Sequence, residues 1–291
     1  MSCDKSLKTR NIIKAALAED IGKGDITAEL VIPQGEKANA VILASEEGIV
    51  CGIYIARLVF KLLDKSIKFT PEVKDGDRIK RGQVLAKIRG RAQSILRGER
   101  VALNFLGMLS GIATRTGKFV DKIKNYNTKL MDTRKTLPGL RELEKYAVKT
   151  GGGYNHRFRL DEMVLIKDNH LRVRGFGLGV RELKDLIKEI RKRTPLGMKI
   201  EIEVRNLKEF KHALEAKPDI IMLDNMGIDK IKKAVIIMRS EKKRKDVPKI
   251  EASGNIELEN ISEYARSGVD FISLGTLTKD VHSLDLSLEI E

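Results

Sequence analysis

The chain has 291 residues, 42% hydrophobic and 33% charged, which is enough apolar material for a folded core and excludes a disordered polyelectrolyte. Its 56 basic and 41 acidic residues leave a formal net charge of +15, a balance that favours polyanionic partners such as nucleic acid, an anionic membrane or phosphorylated metabolites. Two cysteines, Cys3 and Cys51, exclude a disulfide scaffold, and no run approaches about 18 consecutive apolar residues, so a soluble protein of the reducing cytoplasm is expected.

In chain order, the first part opens with a helical pattern over 7–19 that ends near Gly22-Lys23-Gly24. Strand-like apolar runs follow at 40–44, 48–52 and 83–88, with turn chemistry at Asp75-Gly76. A long helical pattern then runs over 93–125, with a break expected near Ser110-Gly111. Residues 1–110 read as a compact sheet domain.

From 111 to 275 the pattern alternates. Strands are expected at 129–132, 163–167, 199–204, 220–224, 249–252 and 271–274, with helices over 139–149, 180–193, 207–217, 228–240 and 256–266. Such alternation means parallel strands joined by crossover helices, in a barrel or an open doubly wound sheet. Asp132, Lys167, Glu203, Asp224, Ser253-Gly254 and Gly275-Thr276 recur at the carboxyl ends of successive strands. That recurrence is the mark of a barrel's active face and favours the barrel.

The chemistry concentrates between 131 and 171. Arg134, Lys135, His156, Arg157, Lys167 and His170 surround the turn Gly151-Gly152-Gly153. Paired cations beside strand ends suit a small ligand with several anionic groups, because Arg grips a carboxylate bidentately and Lys supplies a point charge. Thr133 and Thr136 offer hydroxyls to ligand oxygens, and three successive glycines exceed what a helix cap needs, which suggests close backbone approach to a ligand. His170 fits a capping or packing role as readily as a ligand role. His212 and His282 read as surface or structural residues, and charge runs such as 241–245 read as solvated helix ends. No Cys/His cluster has zinc spacing.

Glu201 and Glu203 fall on one face of their strand, where two carboxylates would be costly unless they met something positive. Glu203 and Asp224, at neighbouring strand ends, suit a hydrated Mg²⁺ or sugar hydroxyls. Ser253-Gly254-Asn255 and Gly275 lead from strands into helices, a common phosphate cradle in barrels.

With these residues in view, the chain closely resembles the quinolinate phosphoribosyltransferase family. The resemblance is carried by Asp132-Thr133-Arg134-Lys135-Thr136-Leu137-Pro138-Gly139, Gly151-Gly152-Gly153-Tyr154-Asn155-His156-Arg157 and Leu165-Ile166-Lys167-Asp168-Asn169-His170, with Glu99-Arg100-Val101-Ala102-Leu103-Asn104 and Leu109-Ser110-Gly111-Ile112-Ala113-Thr114 before them. It implies an α/β fold: an amino-terminal α/β sandwich domain (1–110, rejoined by 276–291) and an incomplete TIM-like α/β barrel of the type II phosphoribosyltransferases (111–275). It further implies a pentosyltransferase that converts quinolinate and phosphoribosyl pyrophosphate to nicotinate mononucleotide, pyrophosphate and CO₂ for NAD synthesis. By the same resemblance Arg134, His156, Arg157 and Lys167 hold quinolinate, helped by Arg100 from a partner chain in a homo-oligomer, a dimer or a hexamer. Lys135, Ser253, Gly254, Asn255 and Gly275 take phosphates, and Lys135, Glu203 and Asp224 serve catalysis, the two carboxylates with Mg²⁺.

One departure is visible. The family's phosphate loop often reads Ser-Gly-Gly, whereas Asn255 follows Gly254 here. Asn tolerates left-handed backbone angles better than most residues, so the loop is expected to survive. The rival readings are a related phosphoribosyltransferase-like protein that acts on another acid, of the type associated with molybdenum transport, and a nucleic-acid binder. Aromatic content of 4% gives the latter no stacking platform, so no nucleic-acid partner is expected.

Overall fold

The computed structural model describes residues 7–175, 179–240 and 247–291, which leaves Cys3 and the charge run 241–245 outside the described residues. The chain packs as two units, one of residues 1–117, 136–152 and 276–291, the other of residues 118–135 and 153–275.

The first unit is built on antiparallel strands. Helices α1 (Leu7–Ile21) and α2 (Ile26–Val31) precede β1 (Lys37–Ala44), β2 (Gly48–Ile49) and helix α3 (Ile53–Leu63). Strands β3 (Lys68–Pro71), β4 (Arg78–Ile79) and β5 (Val84–Arg91) then lead into the 32-residue helix α4 (Ala92–Ile123). The main sheet has the order β12-β1-β5-β3, with β12 (Leu286–Ile290) brought back from the chain's end to pair antiparallel with β1. A second ribbon pairs β2 with β4.

The expected break in the long helix does not occur. Ser110 uses its hydroxyl to accept the Cys51 N–H at 2.9 Å, so it serves packing within an unbroken helix. Gly111 lies under the returning chain, where a Cβ would collide with the His282 carbonyl. Absence of a side chain there admits a second backbone; it does not end the helix.

The second unit carries β6 (Lys129–Met131), β7 (Val164–Ile166), β8 (Ile200–Val204), β9 (Ile220–Asp224), β10 (Lys249–Ser253) and β11 (Phe271–Ser273). All pair in parallel, in the order β6-β11-β10-β9-β8-β7. The first strand in sequence therefore lies beside the last. An open doubly wound sheet reverses its order at a switch point; this sheet has the cyclic order of a barrel. A seam stays between β6 and β7, partly filled where Tyr154 bridges Met131. Helices α6 (Asp168–Val173), α7 (Val180–Arg193), α8 (Leu207–Ala216), α9 (Ile228–Ser240) and α10 (Ile261–Ser267) connect the strands, and the short α11 (Thr276–Lys279) follows β11.

The helix expected after the first barrel strand is present as α5 (Arg141–Thr150), but it groups with the first unit, where Tyr146 donates to Asp75 at 2.7 Å. The triple glycine has its reason here as well. A Cβ on Gly151 would meet the Ala113 carbonyl and Thr116, and Gly152 has φ +90. Helix packing and a left-handed turn account for these two positions without a ligand. Among the described residues no helix is long and apolar enough to cross a membrane.

Candidate active site

Parallel pairing brings the polar strand ends level. Met131 pairs with Ser273, Ser273 with Ser253, and Ser253 with Asp224. Ile166 pairs with Ile202, so Lys167 and Glu203 come side by side, and Lys167 Nζ lies 3.3 Å from Glu203 Oε2.

Behind β6, Asp132 is fully buried and accepts the His156 N–H at 2.8 Å. This bond ties the loop that carries His156 and Arg157 to the end of β6. Arg157 Nη1 donates to the Met163 carbonyl at 2.8 Å, while its Nε is buried with no hydrogen-bond partner among the described residues. Burial, and then repulsion from the nearby Arg134, lower the pKa of Arg157, and Glu201 opposes them. Two guanidiniums held close enough to repel, one with a desolvated N–H, are arranged to suit an anion.

His156 is buried and both of its ring nitrogens are engaged. Nδ1 accepts the Arg157 N–H at 2.9 Å, and Nε2 lies 3.0 Å from Glu201 Oε2. Glu251 Oε2 stands 3.7 Å from the same Nε2. The resemblance implies a quinolinate contact for His156; in this structure its two ring nitrogens face the Arg157 N–H and the Glu201 carboxyl. Both carboxyls are fully buried, and burial raises each pKa to about 8, with repulsion from Glu201 adding to the rise at Glu251.

The expected cost of stacking Glu201 above Glu203 is eased by the protein's own cations: Lys167 pairs with Glu203, and Arg157 lies near Glu201, whose carboxyl also meets the His156 ring. Asp224 accepts from Asn225 Nδ2 at 3.0 Å and lies 3.8 Å from Arg205 Nε. Arg205 also pairs with Asp168 at 2.9 Å. His170 proves to be a capping residue, its Nδ1 accepting the Lys167 N–H at 3.0 Å.

The phosphate-type loops meet on the same rim. Gly275 lies against Lys135, whose Cδ would be 2.7 Å from a Cβ placed there. Thr133 Oγ1 accepts the Lys135 N–H at 3.0 Å, and Thr136 Oγ1 accepts from Arg141 Nε, so both hydroxyls shape local turns. Gly254 has φ +92, and a Cβ would collide with Asn225 Oδ1. Asn225 and Asn255 both sit in the left-handed region, at φ 52 and 54, which is how Asn255 fills its place in the loop.

The rim thus joins Arg134, Lys135, Arg157, Lys167, Glu203, Asp224, Ser253, Gly254, Asn255 and Gly275 on one unit. Arg100 belongs to α4 in the first unit and is exposed. Sequence reasoning missed Arg205 and Glu251. Arg205 sits one residue past β8 and looked like any exposed cation; Glu251 is a carboxylate at an inward position of an apolar strand, a signal that was legible in Lys249-Ile250-Glu251-Ala252.

Comparison with known proteins agrees over nearly the whole chain. Residues 25–110 match the model of the quinolinate phosphoribosyl transferase N-terminal domain, and residues 112–289 match that of its C-terminal domain. A Methanocaldococcus jannaschii protein named probable nicotinate-nucleotide pyrophosphorylase (carboxylating) is 47% identical over 282 residues, 96% of each chain. The chloroplastic nicotinate-nucleotide pyrophosphorylase (carboxylating) of Arabidopsis thaliana is 40% identical, over 96% of this chain and 82% of its own. The solved nicotinate-nucleotide pyrophosphorylase of Francisella tularensis superimposes with a TM-score of 0.89 at 40% identity, over 98% of this chain and 96% of its own.

Proposed function

The chain belongs to the quinolinate phosphoribosyltransferase family, and we propose that the barrel rim is where it carries out the family's reaction, joining quinolinate to phosphoribosyl pyrophosphate to give nicotinate mononucleotide, pyrophosphate and CO₂ in NAD synthesis. The observation that carries this reading is the Arg134–Arg157 pair with its buried, unbonded Arg157 Nε. Quinolinate has carboxylates on adjacent ring carbons; Arg157 and Arg134 grip them, with Lys167 at the edge. His156 contributes by holding the Arg157 backbone.

Lys135, Ser253-Gly254-Asn255 and Gly275 receive phosphate oxygens, since open glycine backbone and a lysine together favour an anion. Glu203 and Asp224 face the ribose hydroxyls. These two partly exposed oxygen donors on adjacent strands fit a Mg²⁺ ion that keeps several of its waters. When bound, Mg²⁺ would supply positive charge to offset that of the pyrophosphate.

The residues then act by placement. Lys135 takes up negative charge on the pyrophosphate as its bond to the anomeric carbon breaks, and Glu203 and Asp224 stabilise positive character on the ribose. The quinolinate ring nitrogen forms the new bond to that carbon. The resulting pyridinium accepts the electron pair of the breaking carbon–carboxylate bond, CO₂ leaves, and a proton from solvent fills the ring position. Alignment of two bound reactants is the largest contribution, worth about 7–11 kcal/mol in favourable cases.

We further propose a cytoplasmic homo-oligomer in which Arg100 of one chain completes the site of another. Quinolinate labelled at its 2-carboxyl tests the reaction: labelled CO₂ released only when phosphoribosyl pyrophosphate is present supports it, and release without that partner, or none with it, refutes it.

A further inference from the structure

Glu201 is outside the set assigned to substrate, yet it is fully buried in β8 with its Oε2 3.0 Å from His156 Nε2. The other ring nitrogen, Nδ1, accepts the Arg157 N–H at 2.9 Å. A ring nitrogen that accepts a hydrogen bond carries no proton, so in the neutral ring the proton sits on Nε2 and points at Glu201. The His156 N–H is fixed separately by the buried Asp132. Ring and backbone of His156 are thus held from two sides, immediately before Arg157.

We propose that Glu201 is a positioning residue: it locks His156 in the Nε2–H tautomer, which leaves Nδ1 to hold the Arg157 N–H and so sets where the Arg157 guanidinium meets the dicarboxylate. This rests on the assignment of Arg134 and Arg157 to quinolinate. A buried metal is the competing use of the cluster, because donor atoms of His156, Glu201 and Glu251 lie within 4.8 Å of one another. The second ring nitrogen decides against it. A histidine bound to a metal through Nε2 almost always donates from Nδ1–H, whereas Nδ1 here accepts. The cluster is built to hold a proton.

The test compares wild type with Glu201→Met, which removes the acceptor at similar volume, and Glu201→Gln, whose carbonyl can still accept from Nε2–H. ¹⁵N-labelled histidine reports the His156 tautomer, and calorimetry reports quinolinate and phosphoribosyl pyrophosphate binding separately. Wild type is expected to show the proton on Nε2 alone. Glu201→Met should lose that single tautomer and bind quinolinate at least about tenfold more weakly, with phosphoribosyl pyrophosphate unaffected. Glu201→Gln should keep both tautomer and affinity.

A folded Glu201→Met chain with wild-type affinity and tautomer overturns the proposal, as does Glu201→Gln failing as badly as Met. So does one divalent ion per chain that is lost in Glu201→Gln. If Glu201→Met does not fold, a wild-type proton on Nδ1 is the overturning result. Wild type that binds no quinolinate defeats the substrate assignment itself, a different outcome from all of these.

Discussion

Gly275 and Lys135 occupy one space: a Cβ on Gly275 would stand 2.7 Å from Lys135 Cδ. The bare glycine therefore sets the path of the lysine side chain along the rim. Because the atom that must yield belongs to a flexible side chain, Gly275→Ala should fold and displace Lys135. A several-fold higher KM for phosphoribosyl pyrophosphate with unchanged quinolinate affinity is expected. Equal kinetics for both substrates would detach this pair from phosphate binding.

Arg157 is held by its Nη1 bond to Met163 and has a buried Nε to offer. Arg157→Lys keeps the charge and loses the fork. It should weaken quinolinate binding by about 2–3 kcal/mol, the worth of a charge-assisted hydrogen bond made in a desolvated site. Calorimetry with quinolinate measures this, and wild-type affinity in a folded Lys variant would remove Arg157 from the site. Arg157→Ala and Arg134→Ala should each abolish turnover without unfolding the chain.

The alternation of strands and helices, and the polar residues at successive strand ends, were readable from 2- and 3.6-residue periodicity alone. Glu201, Glu203 and Asp224 showed themselves as carboxylates in apolar strands. What stayed hidden depends on contacts distant in sequence. Ser110-Gly111 looked like a helix break because nothing local announces that the backbone at His282 packs against Gly111. The internal partners of His156 were hidden too, because its two hydrogen bonds, to the next residue's backbone and to a glutamate 45 positions away, exist only after folding. Family resemblance supplied the substrates and the proposal of a partner role for Arg100, which periodicity could not.

Glu251 has its carboxyl pushed from 4.5 up to about 8 by burial and by repulsion from Glu201. A group whose folded pKa is raised stabilises the fold fully below its unfolded value and loses that contribution as pH rises through the folded one. Stability should therefore fall between about pH 5 and pH 8.5, and Glu251→Gln, which cannot ionise, should make the fall shallower, leaving the share of Glu201, whose carboxyl is also raised to about 8. Thermal unfolding across this range measures it. A wild-type profile that rises with pH over this window would show that Glu251 is ionised throughout.

Sites completed by a neighbouring chain can be rescued in mixed oligomers. Arg100→Ala chains refolded with Arg134→Ala chains should regain part of the activity that each lacks alone, because some sites then take Arg134 from the first variant and Arg100 from the second. Mixed oligomers verified by mass and still inactive would place Arg100 outside the shared site.

The most direct measurement incubates the purified chain with phosphoribosyl pyrophosphate, Mg²⁺ and either quinolinate or nicotinate, and follows nicotinate mononucleotide by mass spectrometry. A rim built around Arg134 and Arg157 for two adjacent carboxylates predicts product from quinolinate and none from nicotinate. Product from nicotinate, or none from quinolinate with a folded protein, would contradict the account at its centre.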